Sequence, residues 1–394
     1  MLGDRDIVVL ASAPWKTAGP LNCHHIALRL AEHNRVLYVE SPGLRSPNLL
    51  HKADLLKIAG RLRGWMRCAV SGPERMAPNL YVVSPIIVPF RGRSCTERLN
   101  DILLRRACAG AALRLHFRRP ILWTFLPTSF CLVGCLNEAA VVYHCTDDYA
   151  GNPGVDASWI EGEERRLAGA ADLCLATSHP LAARLRAMGA KVACVPNVAE
   201  THRFAQPPLR IPADLASLPR PIVGYVGNIA AYMTDLELLA GIAESRPEWS
   251  LVLVGPVGTG DPSTRLSALR RYGNVSLLGP RRYEEIPNYV HGFDVCLIPF
   301  RRNRVTDGAI PLKTFEYLAA GKPVVCTPLA ALRAEPLGDV LCYAEGTEEF
   351  VRAIELCLAD SGGDSTARRR EVAERYCWSK RFPEIEDLVS EVLG

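Results

Sequence analysis

What the chain lacks excludes several classes of protein at once. None of its 14 cysteines forms a C-x-x-C pair, and the close pair Cys131 and Cys135 has three residues between. That spacing fits neither a zinc site nor a dithiol redox motif. No His or Cys cluster suggests a bound metal, so none is expected. Cysteines scattered singly read as small buried hydrophobes in a reducing compartment. No G-x-G-x-x-G leads into a helix with a ribose-binding acid after it, which argues against a nicotinamide-dependent enzyme. The uncharged stretch ILWTFLPTSFCLVGCLN (121–137) is interrupted by Pro127, Thr128 and Ser129. At 17 residues it is at the lower limit for a membrane span, and it is read as a buried strand followed by a helix. The amino terminus reaches IVVLA directly behind Asp4 and Asp6, which is not a secretory pattern. A cytoplasmic protein is expected.

A large excess of charge is also missing. A net charge of +4 over 394 residues is too small to imply nucleic acid. Hydrophobic and charged fractions of 48% and 22% belong to an ordinary globular enzyme, which excludes disordered and fibrous chains. The charge is nevertheless uneven. Residues 45–119 hold 15 Lys and Arg against 4 Asp and Glu, so the remainder is acidic. A basic region of this kind is a surface for an anionic partner. RLRGWMR (61–67), with Trp65 and Met66 among arginines, resembles an interfacial segment for an anionic membrane surface, and a solvated loop with scattered arginines is the alternative.

Through most of the chain, short apolar runs alternate with amphipathic helical stretches. IVVLA (7–11), VLYVE (36–40), LYVVSP (80–85), ILWTFL (121–126), VVYHC (141–145), DLCLATS (172–178) and KVACVPN (191–197) read as strands. Runs of this type separated by helices predict parallel strands buried on both faces. FAQPPLRIPADLASLPRP then breaks the pattern with a cluster of prolines. It resumes with PIVGYVG (221–227), SLVLVGP (250–256), VSLLGP (275–280), DVCLIPF (294–300) and KPVVCTP (322–328). Two doubly wound α/β domains are expected. The first would be residues 1–203, the linker 204–220, the second 221–375, and 376–394 a helix packing back on the first. Ligands of such sheets bind beyond the carboxyl ends of the strands, here predicted to be a cleft between the domains.

The segment RVTDGAIPLKTFEYLAAGKPVVCTP (304–328) carries the most chemistry. Pro311 suits a first helical position and Gly321 with Pro323 a helix end, which predicts a helix over 311–320. Lys313 falls in the first turn, where a cation opposes the helix dipole, and Glu316 lies beside the apolar stripe Leu312, Phe315, Ala319. Two explanations stay open on the residues alone: an ordinary Lys313–Glu316 surface pair, or a phosphate-binding cation with a ribose-binding carboxylate. GYVGN (224–228) places Gly227 and Asn228 after a strand, where backbone can approach a phosphate. In VVYHCTDDYAGN (141–152), His144, Asp147 and Asp148 follow a buried strand as solvated or capping groups, or as a catalytic base. His24 and His25, at a helix start, are acceptor contacts or packing residues.

PLKTFEYLAAGKPVV resembles the nucleotide-sugar segment of GT-B glycosyltransferases, particularly family four and its bacterial polysaccharide relatives. Four further stretches match in the same order: APWKTAGPLNCHHIALRLAEHNRVLYVESP, ADLCLATSHPLAARLRAMGAKVACVPNVAETHRF, GYVGNIAAYMTDLELLAGIAESRPEWSLVLVGP and LGPRRYEEIPNYVHGFDVCLIPF. The resemblance implies a GT-B fold of two Rossmann-like domains facing across a cleft. It further implies transfer of a sugar from a nucleoside diphosphate sugar, with a UDP-sugar favoured, to a hydroxyl of a glycan or lipid-linked acceptor. No cofactor beyond that donor is implied. A sugar-nucleotide epimerase and a non-catalytic sugar-nucleotide or glycan-binding protein are the alternatives.

The departures shape the expected site. The first of the family's two glutamates would fall at Gly308, with Asp307 beside it, and the second matches Glu316. The Arg and Lys usual after the first strand of the second domain are absent, since NIAAYMTD follows Gly227. Donor contacts are therefore expected from Gly227, Asn228, Arg304, Lys313 and Glu316. Related transferases carry an Asp or His in the region of His144, Asp147 and Asp148, which makes these the candidates for the base. Asp147 is favoured, with inversion at the anomeric carbon.

Overall fold

The computed structural model describes every residue except Met1, Ala18, Pro42, 45–71, 89–93, Leu209 and Ser361. The interfacial segment 61–67 expected above lies outside the described residues. The chain divides into two compact units, one of Met1–Val195 with Phe382–Gly394, the other of Pro196–Arg381.

The first unit is built on an eight-stranded sheet. Its strands are β1 (Asp6–Leu10), β2 (Arg35–Val39), β3 (Glu74–Ala77), β4 (Leu80–Val83), β5 (Ile121–Thr124), β6 (Ala140–Cys145), β7 (Leu173–Ala176) and β8 (Val192–Cys194). Their order is β3-β4-β2-β1-β5-β6-β7-β8. All neighbours run parallel except β3 and β4. Every residue of β5, β6 and β7 is buried, as expected of strands covered on both faces. β3 is the exception in composition as well as direction: ERMA sits half exposed at the edge and carries no apolar run. The helix expected after β5 is present as 3-10 turns over Pro127–Leu132. Thr124 Oγ1 accepts from Leu126 N at 3.1 Å and Ser129 Oγ donates to Leu126 O at 2.9 Å, local bonds that compete with α-helical pairing. Among the described residues, no helix is long and apolar enough to cross a membrane.

The second unit holds six strands, all parallel: β9 (Ile222–Val226), β10 (Ser250–Val254), β11 (Val275–Gly279), β12 (Val295–Ile298), β13 (Val324–Cys326) and β14 (Leu341–Tyr343). The order β11-β10-β9-β12-β13-β14 is the doubly wound order 3-2-1-4-5-6, with its switch point between β9 and β12. Gly224 at the middle of β9 is required by packing. A Cβ there would stand 2.2 Å from the ring of Phe293, which is fully buried.

The division falls at 195/196, and the proline-rich stretch 204–220 belongs to the second unit. It is anchored there by fully buried Leu215 and by Asp214, which pairs with Arg281 at 2.8 Å. At the other end, the helix Trp378–Leu393 contributes its residues from Phe382 onward to the first unit. There Ile385 and Val389 are buried, and Glu386 Oε1 accepts from Leu2 N at 3.2 Å.

Candidate active site

In the second unit, three adjacent parallel strands end at glycines with positive φ: Gly227 (145°) after β9, Gly255 (147°) after β10 and Gly279 (73°) closing β11. Gly227 N donates to Val254 O and Gly255 N to Gly279 O, both at 2.9 Å. The turn after β9 is fixed by two phenols. Tyr317 Oη accepts from Val226 N at 2.8 Å, and Tyr225 Oη donates to Asn228 O at 2.9 Å. The Asn228 side chain binds Thr259 twice, accepting from its N–H at 3.1 Å and donating to its carbonyl at 2.7 Å. Its amide thereby ties two loops together at the carboxyl edge of the sheet.

The predicted helix over 311–320 is present as Lys313–Ala319, with Thr314 N already bonded to Pro311 O at 3.0 Å. The register differs because Leu312 takes helical angles as the cap itself. Gly321 ends it at φ 77°, with Gly321 N to Leu318 O at 2.9 Å and Lys322 N to Tyr317 O at 3.0 Å. One face is held by Phe315, stacked on Tyr376 at 4.2 Å. The other carries Lys313 and Glu316, each half-buried.

These two side chains take separate partners. Lys313 Nζ lies 3.1 Å from Tyr225 Oη, 4.3 Å over the Tyr225 ring and 4.6 Å over the Phe300 ring. A Cβ on Gly227 would stand 2.6 Å from this ammonium, so the cation rests directly against the glycine turn. Glu316 Oε1 accepts from Tyr283 Oη at 3.2 Å. Burial pushes the Glu316 carboxyl up to about 7, opposed by the Tyr283 hydrogen bond and the Lys313 charge. A cation and a tunable carboxylate one helical turn apart can serve a diphosphate and a sugar diol respectively.

Nearby, Asn303 caps the short helix Arg304–Gly308, accepting from Val305 N at 2.9 Å and Thr306 N at 3.2 Å. Arg304 is exposed at its first position, and Gly308 is buried. Asp307 Oδ1 accepts from Ala330 N at 2.9 Å and lies 3.5 Å from Arg302 Nε, so it secures this segment.

In the first unit, β6 carries VVYHC into the loop with Asp147 and Asp148. His144 is 3% exposed, and its ring stacks on Phe125 at 4.8 Å. Burial drops its pKa to about 3, which leaves a neutral imidazole packed in the sheet and no base for an acceptor. The expectation of His144 as base fails on that burial. Asp148 is also buried, with Oδ2 3.8 Å from Arg184 Nε. Arg184 is bonded in turn to buried Glu164, which accepts from Tyr143 Oη at 2.7 Å. Asp147 is the more open of the pair, with Oδ2 accepting from Thr146 Oγ1 at 3.1 Å. Burial and the adjacent Asp148 raise its carboxyl to about 6, against the Thr146 bond. His24 is a packing residue: Nδ1 accepts from Leu21 N at 3.0 Å, so Nε2 carries the proton toward Pro14 O at 2.9 Å. His25 is buried beside it.

The sequence reading missed Tyr225, Phe300 and Tyr283, the aromatic groups that hold Lys313 and Glu316. Tyr225 and Phe300 lie in apolar runs that read simply as strand. Among the described residues, no group of three or more His, Cys, Asp and Glu could hold a metal ion.

A family model described as "Glycosyl transferases group 1" matches residues 220–360. TuaH of Bacillus subtilis (strain 168), a glycosyltransferase named for teichuronic acid biosynthesis, is 30% identical over 286 residues, covering 68% of this chain and 71% of the relative. Sucrose-phosphate synthase from Thermosynechococcus elongatus has the same fold with a TM-score of 0.72, at 16% identity over 98% of this chain and 99% of that one. HepE of Anabaena, solved with UDP-glucose, gives 0.68 at 15% identity over 98% and 99% of the two chains. The trehalose 6-phosphate synthase of Burkholderia multivorans gives 0.67 at 13% identity over 100% and 98%. With two α/β units whose strands are parallel apart from the edge strand β3, and with TuaH as a relative over two thirds of its length, the chain belongs to the group 1 glycosyltransferases and is a transferase of the GT-B fold.

Proposed function

We propose that the enzyme transfers a sugar from a uridine diphosphate sugar to a hydroxyl of a glycan or lipid-linked acceptor, without a metal ion. The observation that carries this reading is the Lys313 ammonium resting against the Gly227 turn, with Glu316 one turn along the same helix. The second unit would hold the donor. Lys313, seated against the Gly227 turn, and exposed Arg304 would meet the diphosphate, and Glu316 would accept from the ribose. HepE, solved with UDP-glucose, and TuaH, named for teichuronic acid biosynthesis, support such a donor and a glycan acceptor.

The first unit would hold the acceptor, with Asp147 as its base. Its raised pKa leaves it ionised at neutral pH yet basic enough to take a proton. The acceptor oxygen gives its proton to Asp147 as it bonds to the anomeric carbon. The bond to the diphosphate breaks with inversion, and Lys313 stabilises the leaving charge. Exposed Arg98, Arg105, Arg106 and Arg114 share the helix Ser94–Arg114 with exposed Leu99, Ile102 and Leu113, which supports peripheral attachment to an anionic cytoplasmic membrane face.

Thermal unfolding with UDP, GDP and ADP sugars tests the donor. A ligand at 100 times its Kd adds about 2.7 kcal/mol, and no response to any of them overturns the proposal. The anomeric configuration of the product, read by NMR, tests inversion. Equal co-sedimentation with neutral and anionic vesicles at low salt would overturn the membrane reading.

A further inference from the structure

We propose that Tyr283 is a positioning residue for the donor ribose: its hydroxyl holds one oxygen of Glu316 and leaves the other aimed for the nucleotide. The inference rests on the reading above that Glu316 accepts from the ribose, and it names the group that makes that carboxylate competent.

Tyr283 opens the 3-10 turn Tyr283–Glu285 that follows β11. Its ring is fixed from two sides by the short helix Thr201–Ala205. The Arg203 guanidinium lies over the ring at 5.5 Å, and buried Phe204 meets it edge-on at 6.3 Å. From this fixed ring the hydroxyl reaches Glu316 Oε1 at 3.2 Å. Burial, with Glu316 nearby, pushes the phenol well above its usual range, so it remains a donor at every physiological pH.

The arrangement solves a chemical problem that burial creates. A half-buried carboxyl tends to keep its proton, and a protonated Glu316 loses an acceptor that a ribose diol needs. The Tyr283 hydrogen bond favours the ionised form. It also removes one oxygen from competition, which fixes the direction of Oε2. The other charges around this carboxylate are Lys313 on its own helix and, beside Tyr283, Glu200 and Arg203 on the Thr201–Ala205 side. Arg370, on the helix Gly363–Arg375, lies at the far end by Gly321.

The experiment measures binding of UDP and 2′-deoxy-UDP by calorimetry from pH 6 to 9, after UDP, GDP and ADP have been compared on the wild type. Tyr283→Phe should weaken UDP about tenfold at pH 7, with UDP and 2′-deoxy-UDP then close to equal affinity, and should recover most of that loss and of the discrimination by pH 9. Arg203→Gln, which frees the ring but keeps the hydroxyl, should shift the pH midpoint in the same direction by less, and serves if Tyr283→Phe does not fold. Glu316→Gln separates the two ideas. If it binds UDP as the wild type does, the ribose role of Glu316 is wrong and this inference falls with it. If it loses ribose discrimination while Tyr283→Phe keeps the wild-type pH profile, only the role of Tyr283 is overturned. A Tyr283→Phe loss that is the same at every pH marks mere structural damage and also overturns it. A wild type that binds none of the three nucleotides overturns the donor reading itself.

Discussion

The carbonyl of Gly227 occupies the space that a side chain on Gly255 would need: a Cβ there would stand 1.9 Å from Gly227 O. Gly255 also sits at φ 147°, where an L side chain is strained. Gly255→Ala therefore cannot keep this turn, because the obstructing atom is backbone. Loss of about 3 kcal/mol or more is expected from strain and displacement together, read by urea unfolding. Wild-type stability in this variant would mean the turn is not built as described.

Lys313→Met should leave stability nearly unchanged and weaken nucleotide binding by roughly 10- to 100-fold, the range of a lost charge-assisted contact worth about 1.5–3 kcal/mol. Tyr225→Phe keeps the ring beneath the ammonium and removes only the hydroxyl at 3.1 Å. It should have a smaller effect. Equal losses in both variants would show that the hydroxyl, which also holds Asn228 O, sets the position of the cation and its turn.

The two aspartates should separate cleanly. Asp147→Asn is expected to lower turnover by about 10²–10⁴-fold with donor binding intact. Asp148→Asn instead weakens a buried cluster with Arg184 and Glu164, so its main effect should be on thermal stability. Near-normal turnover in Asp147→Asn rules it out as the base.

His144 and Glu316 give stability opposite pH slopes. His144 has a folded pKa of about 3 against an ordinary 6.5, so its contribution is present above pH 6.5 and is lost as pH falls through that window. His144→Phe should flatten the acid limb by up to about 1.4 kcal/mol per pH unit. Glu316 is raised from 4.5 to about 7, so the folded state holds a proton that the unfolded chain has released. Its cost to stability grows as pH rises from 4.5 through 7. Glu316→Gln should therefore be the more stable protein at pH 8 while binding nucleotide worse. Urea midpoints from pH 4 to 8 check both signs.

Among the described cysteines, Cys342 should be the one alkylated fastest by iodoacetamide. The buried thiol of Cys357 donates to its sulfur across 3.4 Å and lowers its pKa, while Cys342 itself is only partly buried. Cys357→Ala removes the donor and should slow labelling at Cys342, as followed by peptide mass spectrometry.

Much of the fold could be read from the chain because parallel strands covered on both faces must be apolar throughout. IVVL, VVYHC and SLVLV say so directly. β3 could not be read this way, since an edge strand of sequence ERMA needs no apolar face. β14 was missed because three residues, LCY, are too few to establish a period. Lys313 and Glu316 stood out because Pro311 and Gly321 bound a helix on which neither is needed for packing. His144 misled because the alternation of a strand does not reveal which polar side chain is turned into the sheet. The aromatic partners of the site were hidden for the related reason that Tyr225 in a buried strand looks like any other core residue.

The division of the chain into units sets a limit on taking the enzyme apart. The path leaves the first unit after Val195 and returns to it at Phe382, so no single continuous fragment contains the whole of that unit. A polypeptide stopped at residue 195 lacks buried Ile385 and Val389 and the Glu386 acceptor for Leu2 N. It would expose the apolar surface those residues cover. One cut near residue 196 would yield two polypeptides, the second still bearing the terminal segment that completes the first. An independently folding acceptor module would require either co-expression of 382–394 or a circular permutation joining that segment ahead of Leu2.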